Sequence, residues 1–134
     1  MRIVLDTHVI ISAIAAHGLC YDLVRLRLLT HTLITSEMLL GELGEKLRDK
    51  FKLDSNKLPL IAALRERAEI VRPAPLSPPV CRDKDDDWVL ATALAGRADI
   101  VITGDDDLLA LKTHRGIRVL SPRAFLELID RRPN

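Results

Sequence analysis

The strongest constraint on how this 134-residue chain can fold is a repeated switch of hydrophobic period. Short β-branched runs, Ile3-Val4-Leu5 and Ile100-Val101-Ile102 among them, are separated by stretches in which leucines recur at helical spacing. An apolar run without polar alternation suits a strand covered on both faces. Strands alternating with helices pack as a parallel sheet with helices on either side.

Residues 2–5, 31–35, 69–72, 99–103 and 117–120 read as strands, and 8–16, 20–29, 36–51, 54–68, 84–95, 106–111 and 122–130 as helices. Asp54 or Ser55 opens the fourth helix, with Pro59 tolerable only near its first turn. Ser36 suits an N-cap, and Pro122 after Ser121 suits the first position of the last helix. Pro73, Pro75, Pro78 and Pro79 enforce an extended connection. Neither flank of it could form a core alone, so residues 1–134 are expected to be one domain.

Composition narrows the function. Aromatics are few (Tyr21, Phe51, Trp88, Phe125), which argues against binding nucleic acid on aromatic stacking platforms. The net charge of +1 gives no whole-molecule attraction to polyanions, so any contact with nucleic acid needs a local basic patch. Cys20 and Cys81 match neither a disulfide framework nor a zinc signature, and a reduced, cytoplasmic setting is expected. Asp6 interrupts the first apolar stretch and only Arg2 precedes it, which disfavours a signal peptide. No apolar run approaches membrane-spanning length.

Acidic residues punctuate the apolar segments. Asp6 closes the first strand, Glu42 lies within the helix after Ser36, Asp83 and Asp85 to Asp87 lead another helix, and Asp105 to Asp107 follow the fourth strand. In open parallel sheets ligands bind at the carboxyl ends of the strands, where strand order reverses, and Asp6 and Asp105 fall at such ends. Two carboxylates about 4 Å apart repel by roughly 4 kcal/mol at an effective dielectric near 20, so a site that gathers several must hold a cation. Oxygen ligands alone suit a hard ion, Mg²⁺ or Mn²⁺.

Each acid also has an ordinary reading. Asp6 and Asp105 could be N-caps, and Asp107 could offset a helix dipole. Four acids in five positions exceed what a helix start needs. Helical spacing aligns Asp86 and Asp87 with apolar residues further along, leaves Asp83 compatible with the same face, and turns Asp85 to solvent. Glu42 flanks the leucine stripe and reads as a solvated glutamate. His8 could line a site beside Asp6, but no histidine pair has zinc spacing.

Several familiar sites are excluded. No glycine-rich phosphate loop follows the first strand, and no serine sits in a nucleophile elbow. A haloacid-type phosphatase needs an aspartate where His8 stands. A phosphoacceptor receiver needs a lysine at the end of the last strand, where Leu120-Ser121-Pro122 stands instead.

Asp6-Thr7-His8-Val9, Ser36 through Leu43, Cys81-Arg82-Asp83 leading to Asp86-Asp87, Ala98 through Leu109, and Gly116 through Leu126 together resemble the PIN-domain family, most closely its branch of prokaryotic toxin–antitoxin toxins. The resemblance spans nearly the whole chain and rests on the order and spacing of these segments. It implies a three-layer α/β/α sandwich with a central, mostly parallel sheet of four to five strands, and Mg²⁺- or Mn²⁺-dependent cleavage of single-stranded RNA. By that resemblance Asp6 and Glu42 are the first and second acids, the third is Asp86 or Asp87, and Asp105 is the fourth. All five are implied as metal-binding and catalytic residues. Ser36 and Thr103 resemble the hydroxyl residues that orient the carboxylates, and Asp83, Thr7 and Asp107 are further supporting candidates. His8 replaces a common Asn, and Lys84 replaces a common Pro, which could bring a cation near the acids.

Candidates to hold an RNA backbone are Arg25, Arg27, Lys46, Arg48, Lys50, Lys52, Arg65, Arg67 and Arg82. The resemblance also implies a small antitoxin partner and a homodimer; no membrane association is expected, since no apolar run is long enough. The competing expectation is a catalytically inactive PIN-like RNA-binding or regulatory module in which the acids are helix caps.

Overall fold

The computed structural model describes residues 1–15, 18, 22–24, 28, 30–51 and 58–131. In chain order the elements are β1 (Arg2–Leu5), α1 (Thr7–Ala15), β2 (Thr32–Ser36), α2 (Glu37–Phe51), α3 (Leu58–Arg67), β3 (Glu69–Val71), α4 (Lys84–Ala95), β4 (Ile100–Ile102), α5 (Asp106–Leu109), β5 (Thr113–His114), β6 (Ile117–Leu120) and α6 (Pro122–Arg131). Most of the helix expected over 20–29, with Arg25 and Arg27, lies outside the described residues. So do Lys52 and the helix start expected at Asp54 or Ser55.

The strands form one sheet in the order β3-β2-β1-β4-β6-β5, parallel except for the β5–β6 pair. Alternate side chains enter two cores, as the period of a strand requires. Ile3, Leu5, Ile100 and Ile102 pack with Val9, Ile10 and Phe125 on one face. Val4 and Val101 pack with Val89, Leu90, Ala93 and Leu108 on the other. Helices therefore cover both faces and the three-layer α/β/α architecture holds.

The expected four to five strands become six. The addition is β5, a two-residue strand antiparallel to β6. It forms because Arg115 and Gly116 take φ of 49° and 84°, the left-handed pair that closes a two-residue hairpin with the right twist.

Two caps behave as their sequences predict. Ser36 Oγ accepts the Leu39 N–H at 3.4 Å, and Ser121 Oγ accepts that of Ala124 at 3.1 Å ahead of Pro122.

The topology also places the site. From β1 the chain first moves outward through β2 and β3, then returns by α4 to lay β4 on the other side of β1. Strand order thus reverses between β1 and β4, where a crevice opens at the carboxyl ends.

Candidate metal centre

Strand register fixes the first contact. Leu5 pairs with Ile102, so the next residues, Asp6 and Thr103, arrive side by side at the carboxyl edge. The Asp6 N–H bonds the Ile102 carbonyl at 2.9 Å, and Thr103 Oγ1 donates to Asp6 Oδ2 at 2.6 Å. Both side chains are buried. Thr103 Oγ1 accepts the Asp105 N–H at 3.0 Å, so one hydroxyl ties the end of β1 to the turn after β4. Thr103 thus holds the Asp6 carboxylate by a hydrogen bond across the two strand ends.

Asp105 is the N-cap of α5, its Oδ1 accepting the Leu108 N–H at 3.1 Å. Capping and ligation are compatible, because an ionised carboxylate has two oxygens and about four acceptor positions. Ligand atoms of Asp86, Asp105 and Asp107 lie within 4.8 Å of one another, an arrangement that could hold a metal ion. Asp86 is buried, 5% exposed, at the start of α4. Burial, then the charges of Asp105, Asp6, Asp83 and Asp107, push its carboxyl up to about 7. That rise registers negative charge that the surrounding side chains leave uncompensated, and a hard divalent cation is the guest that relieves it. The residues fit such an ion.

Asp87 is placed differently. Its Oδ1 accepts N–H groups from Cys81 at 2.7 Å and Val80 at 3.2 Å, and its Oδ2 accepts that of Val80 at 3.3 Å. Its carboxylate thus pins the incoming loop, while its neighbour turns into the acid cluster. Asp83 caps α4 by accepting the Asp85 N–H at 2.9 Å, and its charge adds to the rise at Asp86.

Glu42 overturns the expectation of a solvated side chain: it is only 10% exposed. Its carboxyl is raised, first by burial and then by Asp85; Thr7 opposes this by hydrogen bonding, Asp6 adds to it, and Lys46 opposes it. Asp85, exposed as expected, is thus electrically close to Glu42. Thr7 is buried beside both acids, its Oγ1 3.5 Å from Asp6 Oδ1. Lys46 Nζ lies 3.7 Å from Glu42 Oε1 and 3.4 Å from His8 Nε2, and His8 Nδ1 lies 3.5 Å from Asp6 Oδ1.

Two supporting assignments change. Ser36 was expected to orient a carboxylate, but its buried hydroxyl lies 2.8 Å from Thr92 Oγ1. Thr92 spends its proton on the Trp88 carbonyl at 2.7 Å, so Ser36 is the donor and locks α2 to α4. Asp107 does more than offset a helix dipole, since it joins the metal-compatible group and accepts from Arg82 Nη2 at 2.8 and 3.0 Å. Arg82, rather than the exposed Lys84, is the cation that reaches this acid. The Glu42–Lys46 pair was legible from its i,i+4 spacing, whereas nothing local announces the Arg82–Asp107 pair.

Asp86, Asp105 and Asp107 thus gather beyond the carboxyl ends of a parallel α/β sheet, and comparison with known proteins gives the family of that fold. A family model described as a PIN domain matches residues 2–107. The chain belongs to the PIN-domain family, whose members are generally nucleases. A solved chain of similar fold comes from "VapBC2 from Rickettsia felis bound to a DNA fragment from their promoter". It has a TM-score of 0.65 at 20% identity, over 89% of this chain and 97% of that one. No curated protein matches the sequence.

Proposed function

We propose that the protein is a Mg²⁺- or Mn²⁺-dependent endoribonuclease that hydrolyses phosphodiester bonds of single-stranded RNA, acting in the cytoplasm as the toxin of a toxin–antitoxin pair. The observation that carries this reading is the convergence of Asp86, Asp105 and Asp107 within 4.8 Å beside the buried Asp6. Family membership and the resemblance of the motifs support the nuclease chemistry. The fold neighbour, solved as VapBC2 on promoter DNA, supports a chain that works with a small partner protein. A homodimer follows from the resemblance alone.

In this reading Asp6, Asp86 and Asp105 hold the ion, with Asp107 beside them, and Asp87 serves the loop. When bound, the ion supplies charge neutralisation to the phosphate and acidity to water. The Thr103 hydroxyl holds Asp6 in orientation, so little rearrangement is needed on binding. Glu42, whose carboxyl is raised by burial beside Asp85 and Asp6, would orient the attacking water and accept its proton. The water oxygen attacks phosphorus, the bond to the leaving ribose oxygen breaks, and that oxygen takes up a proton. Lys46 and Arg82 flank the acids and can meet backbone phosphates. Among the described residues no helix is long and apolar enough to cross a membrane.

The test is cleavage of end-labelled single-stranded and duplex RNA with Mg²⁺, with Mn²⁺ and with EDTA. Metal-dependent cleavage of the single strand is expected, lost in Asp6→Asn and Asp105→Asn; an Asp6→Asn protein that cleaves at full rate would contradict the assignment. Co-purification with the product of an adjacent short reading frame tests the partner.

A further inference from the structure

A groove of ≈ 350 Å³ opens beside the carboxylate centre, lined by His8, Val9, Ser12, Gly104, Asp105 and Pro122. Asp105 belongs to both groove and centre, and His8 Nδ1 stands 3.5 Å from Asp6. The volume falls at the lower end of the roughly 300–1,000 Å³ typical of small-ligand sites. Its lining contains no lysine or arginine, and Asp105 adds negative charge, so the groove itself disfavours a phosphate; Lys46 stands at its edge, beside His8. The walls suit a flat, uncharged group with hydrogen-bonding edges. Ser12 is exposed on α1 and supplies a hydroxyl that can donate and accept. The His8 side chain is 55% exposed and is flanked on both ring nitrogens, by Asp6 and by Lys46 Nζ at 3.4 Å. An exposed imidazole held in place is a surface on which a base can stack, and unpaired bases are recognised by such stacking together with hydrogen bonds to their edges.

We propose that this groove is a nucleobase subsite, holding the base of a nucleotide next to the phosphate that is cleaved, with His8 as its stacking surface and Ser12 as a reader of its edge. The inference rests on the nuclease reading above and adds what sits beside the phosphate. Because Asp105 is common to both, one nucleotide can lay its phosphate over the acids and its base in the groove. Specificity for the cleaved sequence then comes from α1 and the turn after β4, with one imidazole in place of the Phe, Tyr or Trp platforms that are scarce in this composition.

Gly104 offers a clean obstruction. A Cβ added there meets no atom within 4 Å, and its backbone is outside the left-handed region, so Gly104→Leu can fold while filling the groove. The full chain and this variant are compared on single-stranded oligonucleotides in which one abasic nucleotide is walked past the cut site. In parallel, adenosine monophosphate and ribose 5-phosphate are titrated, with Mg²⁺, into isotope-labelled protein followed by NMR.

One abasic register next to the cut is expected to lower kcat/KM by roughly tenfold in the unmodified protein, and Gly104→Leu to lose that sensitivity. Its Mg²⁺ affinity should be unchanged. Adenosine monophosphate should shift the Ser12 and Gly104 amides, and ribose 5-phosphate should not. Equal abasic penalties in both proteins, or identical shifts from both ligands, overturn the subsite while leaving the nuclease reading intact. If no RNA is cleaved, the nuclease reading fails on its own, and the NMR comparison still decides whether the groove takes a base.

Discussion

The Thr103 hydroxyl and the Asp6 carboxylate, 97 residues apart in the chain, meet at 2.6 Å with both side chains buried. Hydrogen bonds to charged groups contribute about 1.5–3 kcal/mol, and leaving such an acceptor buried without its donor costs about as much. Thr103→Val should therefore destabilise the protein by about 2 kcal/mol in urea unfolding, and Thr103→Ser should retain most of the stability. Equal stability of Thr103→Val and the unmodified protein would show that the bond orders nothing.

Asp86 and Asp87 are neighbours in different surroundings, Asp86 within the acid cluster and Asp87 against the Val80 and Cys81 N–H groups. Asp87→Asn weakens the acceptor for the Val80 and Cys81 N–H groups and should cost about 1–3 kcal/mol of stability with metal affinity unchanged. Asp86→Asn should abolish metal binding and cleavage, yet stabilise the metal-free protein at pH 8 by removing a buried, repelled charge. Calorimetric metal titration and urea unfolding of both variants check the pair. Reversed roles would move the third ligand to Asp87.

The raised carboxyls of Asp86 and Glu42 give the metal-free protein a defined pH response. Between the unfolded aspartate value near 4 and the folded Asp86 value of about 7, the native state binds more protons than the unfolded state. Stability from Asp86 is therefore full below about pH 4 and is lost as pH rises through 7, with a slope of at most about 1.4 kcal/mol per pH unit. Glu42 adds a contribution of the same sign. In EDTA, the stability difference between the unmodified protein and Asp86→Asn should shift against the unmodified protein from pH 5 to pH 8. Mg²⁺ affinity should rise over the same interval, because the ligand must lose its proton. A pH-independent difference between the two proteins would contradict the burial and repulsion assigned to Asp86.

Gly96, which follows α4, tests the packing that delivers α4 to the sheet. A Cβ there would stand 2.5 Å from Ile34 Cγ2, and Ile34 is a buried residue of β2. Gly96→Ala should cost about 1–3 kcal/mol by forcing Ile34 from its position. Thermal unfolding measures it, and a neutral substitution would mean that Ile34 can repack freely.

The fold was largely legible because its strands are short β-branched runs and its helices carry clear leucine stripes. The exception, β5, is too short for any hydrophobic period and is written only in the Arg115-Gly116 turn. Asp6 and Asp105 could be placed at strand ends, since strand topology alone sends them to the switch point. Choosing between Asp86 and Asp87 needed the fold. Both share apolar helical faces, and only the arrival of the loop at Val80-Cys81 separates them. Glu42 read as solvated because the groups that surround it, Thr7 on α1 and Asp85 on α4 among them, lie far away in sequence. Ser36 was misassigned for a similar reason, its partner Thr92 standing 56 residues further on.

The central claim is that folding gathers Asp86, Asp105 and Asp107, with Asp6 alongside, into a centre that binds a hard divalent cation. The direct measurement is thermal unfolding of the unmodified protein and of Asp86→Asn across a Mn²⁺ titration. At a hundredfold excess over Kd, binding stabilises by about 2.7 kcal/mol, which for a chain of this size raises Tm by several degrees. A saturating rise in the unmodified protein and a flat response in Asp86→Asn are expected. No rise at millimolar metal, or the same rise in both, would contradict the assignment.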